Sequence, residues 1–115
     1  VEGSIAGGLG QALKEQVLRE DGKIINGDFL NYAMPTSVDI PEITSETVGE
    51  PDPAGPFGAK ESGESLQCST APAIANAIYD AVGVRISDLP ITPEKVLRAL
   101  EEKRAREKGS KDADW

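Results

Sequence analysis

The sequence contains no histidine and a single cysteine, Cys68. Without histidine, serine and cysteine nucleophiles lack their usual base and a histidine zinc site cannot be built, which removes most hydrolase chemistries. One cysteine excludes an internal disulfide framework and a cysteine-rich zinc or iron–sulfur site within this chain, and fits a reducing, cytoplasmic setting. No apolar run approaches the roughly 20 residues of a membrane span. Val1-Glu2-Gly3 does not resemble a signal peptide, and the absence of an initial Met leads us to expect the true start elsewhere. Aromatics make up only 4%, so any core must be built from Ile, Leu, Val and Ala. Basic residues are outnumbered twelve to twenty, and the formal charge of -8 works against binding a phosphate backbone. Neither nucleic acid nor a membrane is an expected partner.

What remains is 115 residues, enough for one compact domain, with twelve Gly and eight Pro concentrated outside the periodic stretches. So much irregular backbone requires something to pack against, and alone the chain should be only marginally stable. Ile5, Leu9, Ala12, Leu13 and Val17 recur at helical spacing and predict a helix over residues 4–16. Its Gly7, Gly8 and Gly10 each cost roughly 1 kcal/mol relative to Ala, so they serve either close packing or close approach to a ligand. Asp21-Gly22 between two short runs predicts a two-stranded hairpin. A short strand is expected at residues 42–48. Residues 49–63, rich in Gly and Pro, can hold neither helix nor interior strand and predict a long loop of functional character.

A second helix is expected to start near Ser69 or Thr70, with Pro72 in its first turn, and to stop at Gly83. Its inward face would be Ile74, Ala77 or Ile78, and Ala81 or Val82. A third begins at Thr92-Pro93-Glu94, with Val96, Leu97 and Leu100 inward, and fades into a solvated charged tail over residues 101–115. The expected class is α+β: a glycine-rich helix, a hairpin and short strand, a long active-site loop and two C-terminal helices.

Carboxylates, Lys60 and backbone amides are the reactive inventory. Residues 55–62 have the glycines, lysine and hydroxyl of a phosphate loop, but Ala59 precedes Lys60 and Glu61 follows it, where such a loop needs Gly and Ser or Thr. Residues 3–10 lack the spacing of a dinucleotide fingerprint and the strand that should precede it. Glu64 ends the loop, and Gly63 before it permits close backbone approach to a bound group. Standing by itself, Glu64 would read as an exposed surface carboxylate.

The run Gly55-Pro56-Phe57-Gly58-Ala59-Lys60-Glu61-Ser62-Gly63-Glu64, followed by residues 71–83, resembles the C-terminal end of the molybdopterin-binding subunits of the xanthine dehydrogenase and aldehyde oxidase family. Further pieces agree in order: Val1-Glu2-Gly3 with Gly7-Gly8 and Gln11, Asn31-Tyr32 with Met34-Pro35-Thr36, Val38-Asp39-Ile40-Pro41, and Leu89-Pro90-Ile91-Thr92-Pro93-Glu94. The resemblance covers roughly residues 1–100, as the C-terminal segment of a cofactor-binding domain. It implies that Glu64 stands beside molybdenum and takes the proton of an oxygen that the metal acidifies, as that oxygen attacks an electron-poor carbon of an aromatic heterocycle, aldehyde or aryl-CoA.

It further implies that Ala59, Lys60, Ser62, Gly63, Ser4, Gly7 and Gln11 face the molybdopterin, with no protein ligand to the metal among them. Electrons would leave toward 2Fe-2S clusters and FAD on partner domains or subunits, and the remainder of the molybdopterin-binding subunit would be the principal partner. The isolated chain should be inactive. Two positions depart from the family pattern. Ser4 stands where many members carry a glutamine that contacts the pterin, and Glu61-Ser62 replaces the usual Gly-Val or Ala-Val. Ala59-Lys60-Glu61 is more similar to the 4-hydroxybenzoyl-CoA reductase branch. Two competing readings are a non-catalytic interaction domain of the same descent and an anion-binding module that uses the glycine-rich helix start.

Overall fold

The computed structural model describes residues 1–112. Its elements are helix α1 (Glu2–Leu13), strands β1 (Arg19–Glu20) and β2 (Lys23–Ile24), a 3-10 turn at Pro56–Gly58, helix α2 (Glu64–Val82) and helix α3 (Pro93–Asp112). The α+β class expected from the sequence is the one found. Of the expected charged tail, residues 101–112 continue α3, and the last three residues lie outside the described ones.

The extensive helix–helix contact among the described residues is α1 on α2. It is made by small residues. Gly8, Gly10 and Ala12 are the buried positions of α1, and a Cβ added at Gly8 would lie 2.6 Å from the Thr70 Cβ and 3.0 Å from the Gln67 carbonyl. At Gly10 it would lie 2.8 Å from Pro35. Packing is therefore the reason for these two glycines. Gly7 differs, since the nearest atom to an added Cβ there is the Gln67 amide nitrogen at 3.6 Å, an ordinary contact. On α2 the facing positions Leu66, Gln67, Thr70, Ala71, Ile74, Ala75, Ile78 and Val82 are half-buried at helical spacing.

Helix α1 ends three residues earlier than its periodicity predicts. The N–H groups of Lys14 and Glu15 both turn back to the Gly10 carbonyl, at 2.9 and 2.8 Å. Beyond them, buried Asn26 takes over the backbone groups of the chain. Its Nδ2 donates to the Gln16 carbonyl at 2.7 Å and its Oδ1 accepts from the Leu18 N–H at 2.8 Å. The hairpin follows as expected, pairing Arg19 with Ile24 and Glu20 with Lys23. Asp21 at φ 48° and Gly22 at φ 78° supply the two left-handed residues that such a tight turn needs. The segment after α2 returns to α1 through the Ile91 N–H, which donates to the Ala12 carbonyl at 2.6 Å. Ala12, Val84 and Ile91 are buried apolar residues, and Pro90 beside Ile91 is buried as well.

Three expectations need correction. Residues 42–48 form no strand: no other strand lies alongside to accept their backbone groups, and Val48 is 87% exposed. Helix α2 starts at Glu64, not near Ser69 or Thr70, whose hydroxyls donate back to the Leu66 carbonyl as mid-helix residues do. Pro72 is thus interior. Its missing N–H would have met the Cys68 carbonyl, and both residues lie on the exposed face, where water can serve that carbonyl. Leu97, expected inward, is 56% exposed on α3, while Val96, Ala99 and Leu100 are half-buried. Thr92 does cap α3, its Oγ1 accepting from the Lys95 N–H at 3.4 Å.

The molecule is far from spherical. Its radius of gyration is 19.6 Å, against ~13 Å for a compact chain of this length. Its accessible surface of 9251 Å² compares with ~6000 Å² for a folded monomer of this mass. Phe29, Leu30, Val38 and Phe57 are each more than 90% exposed. Exposed apolar side chains in this number are characteristic of surfaces that make protein–protein contacts.

Two predictions follow from the packing and from a surface ion pair. Gly8→Ala should lower the thermal midpoint of the subunit, because overpacking costs about 1–3 kcal/mol and outweighs the ~1 kcal/mol of helix propensity gained. Gly7→Ala should leave the midpoint unchanged or raise it. Equal responses of the two variants would contradict the packing described. The second concerns Asp39, whose carboxyl is held down to about 2 by Lys14, 2.5 Å away, and by the N–H and hydroxyl of Thr36. A depressed carboxylate stabilises the fold above its unfolded value of about 3.9 and loses that contribution as pH falls through its folded value. The gap in urea midpoint between native protein and Asp39→Asn should therefore be constant above about pH 4 and close toward pH 2; a gap independent of pH would contradict this assignment.

Candidate active site

Residues 49–63 run as an irregular segment that folds on itself before entering α2. The Asp52 N–H donates to the Gly58 carbonyl at 3.1 Å, and the Gly55 N–H donates to the Asp52 carbonyl at the same distance. The Pro56–Gly58 turn carries two left-handed residues, Phe57 at φ 55° and Gly58 at φ 78°. Only glycine fits the second, since an added Cβ would lie 2.5 Å from the Pro51 Cβ. Beside this fold-back lies a groove of about 710 Å³ lined by residues 44–51 and 58–62 together with Val1 and Leu66. Ala59, Lys60 and Ser62 line it, and so do Glu46, Glu50 and Glu61.

Glu64 is the first residue of α2, and its side chain is exposed. The peptide that precedes it is held from two directions. The Ser4 hydroxyl of α1 donates to the Gly63 carbonyl at 2.6 Å, and the Glu61 carboxylate accepts from the Glu64 N–H at 2.8 Å. Glu61 itself is held below the usual carboxylate range, first by the Ser65 hydroxyl and then by the N–H groups of Glu64, Gly63 and Ser65. A carboxylate at the positive end of a helix, meeting its otherwise unpaired N–H groups, is favoured on both counts.

The structure therefore gathers Ser4, Ser62, Gly63 and Glu64 at the junction of α1 with the start of α2, with Ala59 and Lys60 along the adjoining groove and Gly7 beside the Gln67 side chain. Gln11 is exposed on α1, seven residues and roughly 10 Å of helix beyond Ser4, and is not part of that cluster. Two residues were missed by sequence reasoning. Glu61 caps α2 from two residues before the N-cap Gly63, a residue type and position that the capping rules do not mark. Gln67 lies on the α2 face toward Gly7, which no local pattern marks. No group of three or more His, Cys, Asp or Glu among the described residues could hold a metal ion, and no helix among them is long and apolar enough to cross a membrane.

Over most of its length the chain is similar to parts of known oxidoreductases. The family profile described as "Molybdopterin cofactor-binding domain" matches residues 1–41. The molybdenum-binding subunit PaoC of an Escherichia coli (strain K12) aldehyde oxidoreductase is 39% identical over 103 residues, which cover 87% of this chain and 14% of that protein. The putative xanthine dehydrogenase molybdenum-binding subunit XdhA of the same organism is 37% identical over 98 residues, covering 84% of this chain and 13% of that protein. Quinoline 2-oxidoreductase from Pseudomonas putida 86 superposes with a TM-score of 0.79 at 34% identity, over 89% of this chain and 14% of the other. These are molybdenum-dependent oxidoreductases or their structural counterparts. The chain belongs to the xanthine dehydrogenase family of molybdenum hydroxylases, and it spans about one-seventh of the length of the relatives it matches.

The loop geometry makes a prediction of its own. Gly58→Ala should open the segment between Pro51 and Lys60, and trypsin should then cut after Lys60 faster than in the native subunit. An unchanged cleavage rate would mean that the fold-back does not depend on the left-handed conformation of Gly58.

Proposed function

We propose that this chain supplies Glu64 as the proton acceptor at the edge of a molybdenum cofactor site in a hydroxylase of this family. The observation that carries the reading is the Ser4–Gly63 hydrogen bond, 2.6 Å long, which joins the segment matched by the cofactor-binding profile to the peptide directly before Glu64. The residues suit such a group. Lys60 and Ser62 offer charge and donors along the groove. Three carboxylates, Glu46, Glu50 and Glu61, also line the groove, and that of Glu61 is engaged by the N-terminus of α2.

When bound, the molybdenum cofactor supplies the oxidising metal and the acidified oxygen source of the reaction. Ala59, Lys60, Ser62, Gly63 and Gly7 would hold and orient it; Gln11, away from the cluster, would not. The Glu64 carboxylate accepts a proton at its Oε atoms as the substrate carbon is oxygenated. Aldehydes and nitrogen heterocycles are the substrate classes favoured, because the similar proteins include an aldehyde oxidoreductase, a putative xanthine dehydrogenase and a quinoline 2-oxidoreductase. They lend no support to the 4-hydroxybenzoyl-CoA branch. The remainder of the molybdenum-binding subunit covers the exposed apolar surface, and iron–sulfur and FAD subunits receive the electrons. We place the complex in the cytoplasm, with residues 1–100 in the cofactor-binding domain and 101–115 as a charged extension.

The complex purified from its native host, as native protein and as Glu64→Gln, tests this. Molybdenum should be present in both, and turnover should fall by about 10²–10⁴-fold in the variant, the usual contribution of a positioned base. Absence of molybdenum and of a large partner from both preparations would replace this reading with a non-catalytic interaction domain.

A further inference from the structure

Ser4 and Glu61 act on the same peptide group. The carbonyl of Gly63 and the N–H of Glu64 are the two polar ends of one planar unit. Ser4 Oγ donates to the first at 2.6 Å and Glu61 Oε1 accepts from the second at 2.8 Å. One hydrogen bond alone fixes a point on a peptide plane and leaves it free to pivot. Two at opposite edges fix the plane. This plane sets the direction in which the Glu64 Cα–Cβ bond leaves the backbone, since Glu64 opens α2 and no helical turn precedes it.

The two contacts come from independent sources. Ser4 is carried by α1, whose distance from α2 is set by the absence of a side chain at Gly8. Glu61 belongs to the loop and reaches forward three residues. Helix, loop and the start of α2 therefore converge on the one peptide that aims the exposed carboxylate.

We infer that Ser4 and Glu61 are positioning residues that jointly clamp the Gly63–Glu64 peptide and so orient the Glu64 carboxylate toward its reaction partner. The inference rests on the proposed role of Glu64, and it assigns the two side chains a function through that residue without contact with substrate. It also gives Ser4 a role separate from cofactor contact. Ser4 can serve both only if its hydroxyl, while donating to Gly63, accepts from the cofactor.

The test uses the complete enzyme complex, with amide hydrogen exchange at Glu64 and steady-state kinetics measured together on Ser4→Ala, Ser4→Thr, Glu61→Ala and Glu61→Gln. Glu61→Gln keeps an acceptor oxygen and Ser4→Thr keeps a hydroxyl, so both should remain close to native. Glu61→Ala and Ser4→Ala should speed exchange of the Glu64 amide by at least about tenfold. They should lower kcat on the order of ten- to a hundredfold, as a misplaced catalytic group does, with KM and molybdenum content unchanged. If the alanine variants keep a protected amide and native kcat while Glu64→Gln is inactive, the clamp is overturned and the role of Glu64 survives. If Glu64→Gln turns over like the native enzyme while the alanine variants still lose amide protection, the role of Glu64 fails and the clamp of the peptide stands. Loss of molybdenum in Ser4→Ala alone, with the Glu64 amide still protected, overturns the positioning role of Ser4 in favour of direct cofactor contact.

Discussion

The approach of α1 to α2 at Gly8 is the contact on which the rest of the arrangement depends. With no Cβ in the way, the Thr70 side chain and the Gln67 carbonyl lie against the α1 backbone. That approach carries Ser4, one turn earlier on α1, to the Gly63 carbonyl. A helix that spends several positions on glycine is weak by propensity. Here the weakness is offset by contact with the partner helix and with Pro35, and its consequence is positional: the start of α2 is held against the first turn of α1. The loop between residues 49 and 63 is then anchored at its far end and folds back through Asp52, Gly55 and Gly58.

Features set by neighbouring residues were legible in the sequence. Asp21-Gly22 can only turn tightly, Gly83 ends α2 in a left-handed conformation at φ 67°, and Thr92-Pro93 opens α3. Features that depend on a distant partner were not. Residues 42–48 have strand composition, yet a strand exists only where another accepts its hydrogen bonds, and none lies beside them. The start of α2 was misplaced because Pro72 normally marks a first turn. In this helix it sits mid-way on the exposed face, and the N-terminal N–H groups are met by Glu61, a residue type that capping rules do not favour. The glycines of α1 suggested packing ahead of ligand approach, and the close surroundings of Gly8 support packing there, whereas those of Gly7 are ordinary contacts.

The candidate site was legible through its resemblance to a family and not through its chemistry. Glu64 is exposed, and nothing in its spacing distinguishes it from a surface glutamate. The geometry adds the company it keeps. The side chains of Ser4 and Glu61, from separate points of the chain, both hold the peptide before Glu64. The extended shape and the exposed Phe29, Leu30, Val38 and Phe57 show why the chain needs its surroundings: its own buried apolar residues are few, and the surface left over is suited to cover by the remainder of a larger subunit.

The most direct measurement is a crystal structure of the molybdenum-loaded complex. The account predicts that the Glu64 carboxylate lies within hydrogen-bond reach, about 2.6–3.2 Å, of an oxygen in the metal's coordination sphere, with the Ser4–Gly63 and Glu61–Glu64 bonds both in place. A Glu64 side chain turned to bulk solvent, with another carboxylate at the metal, would contradict it.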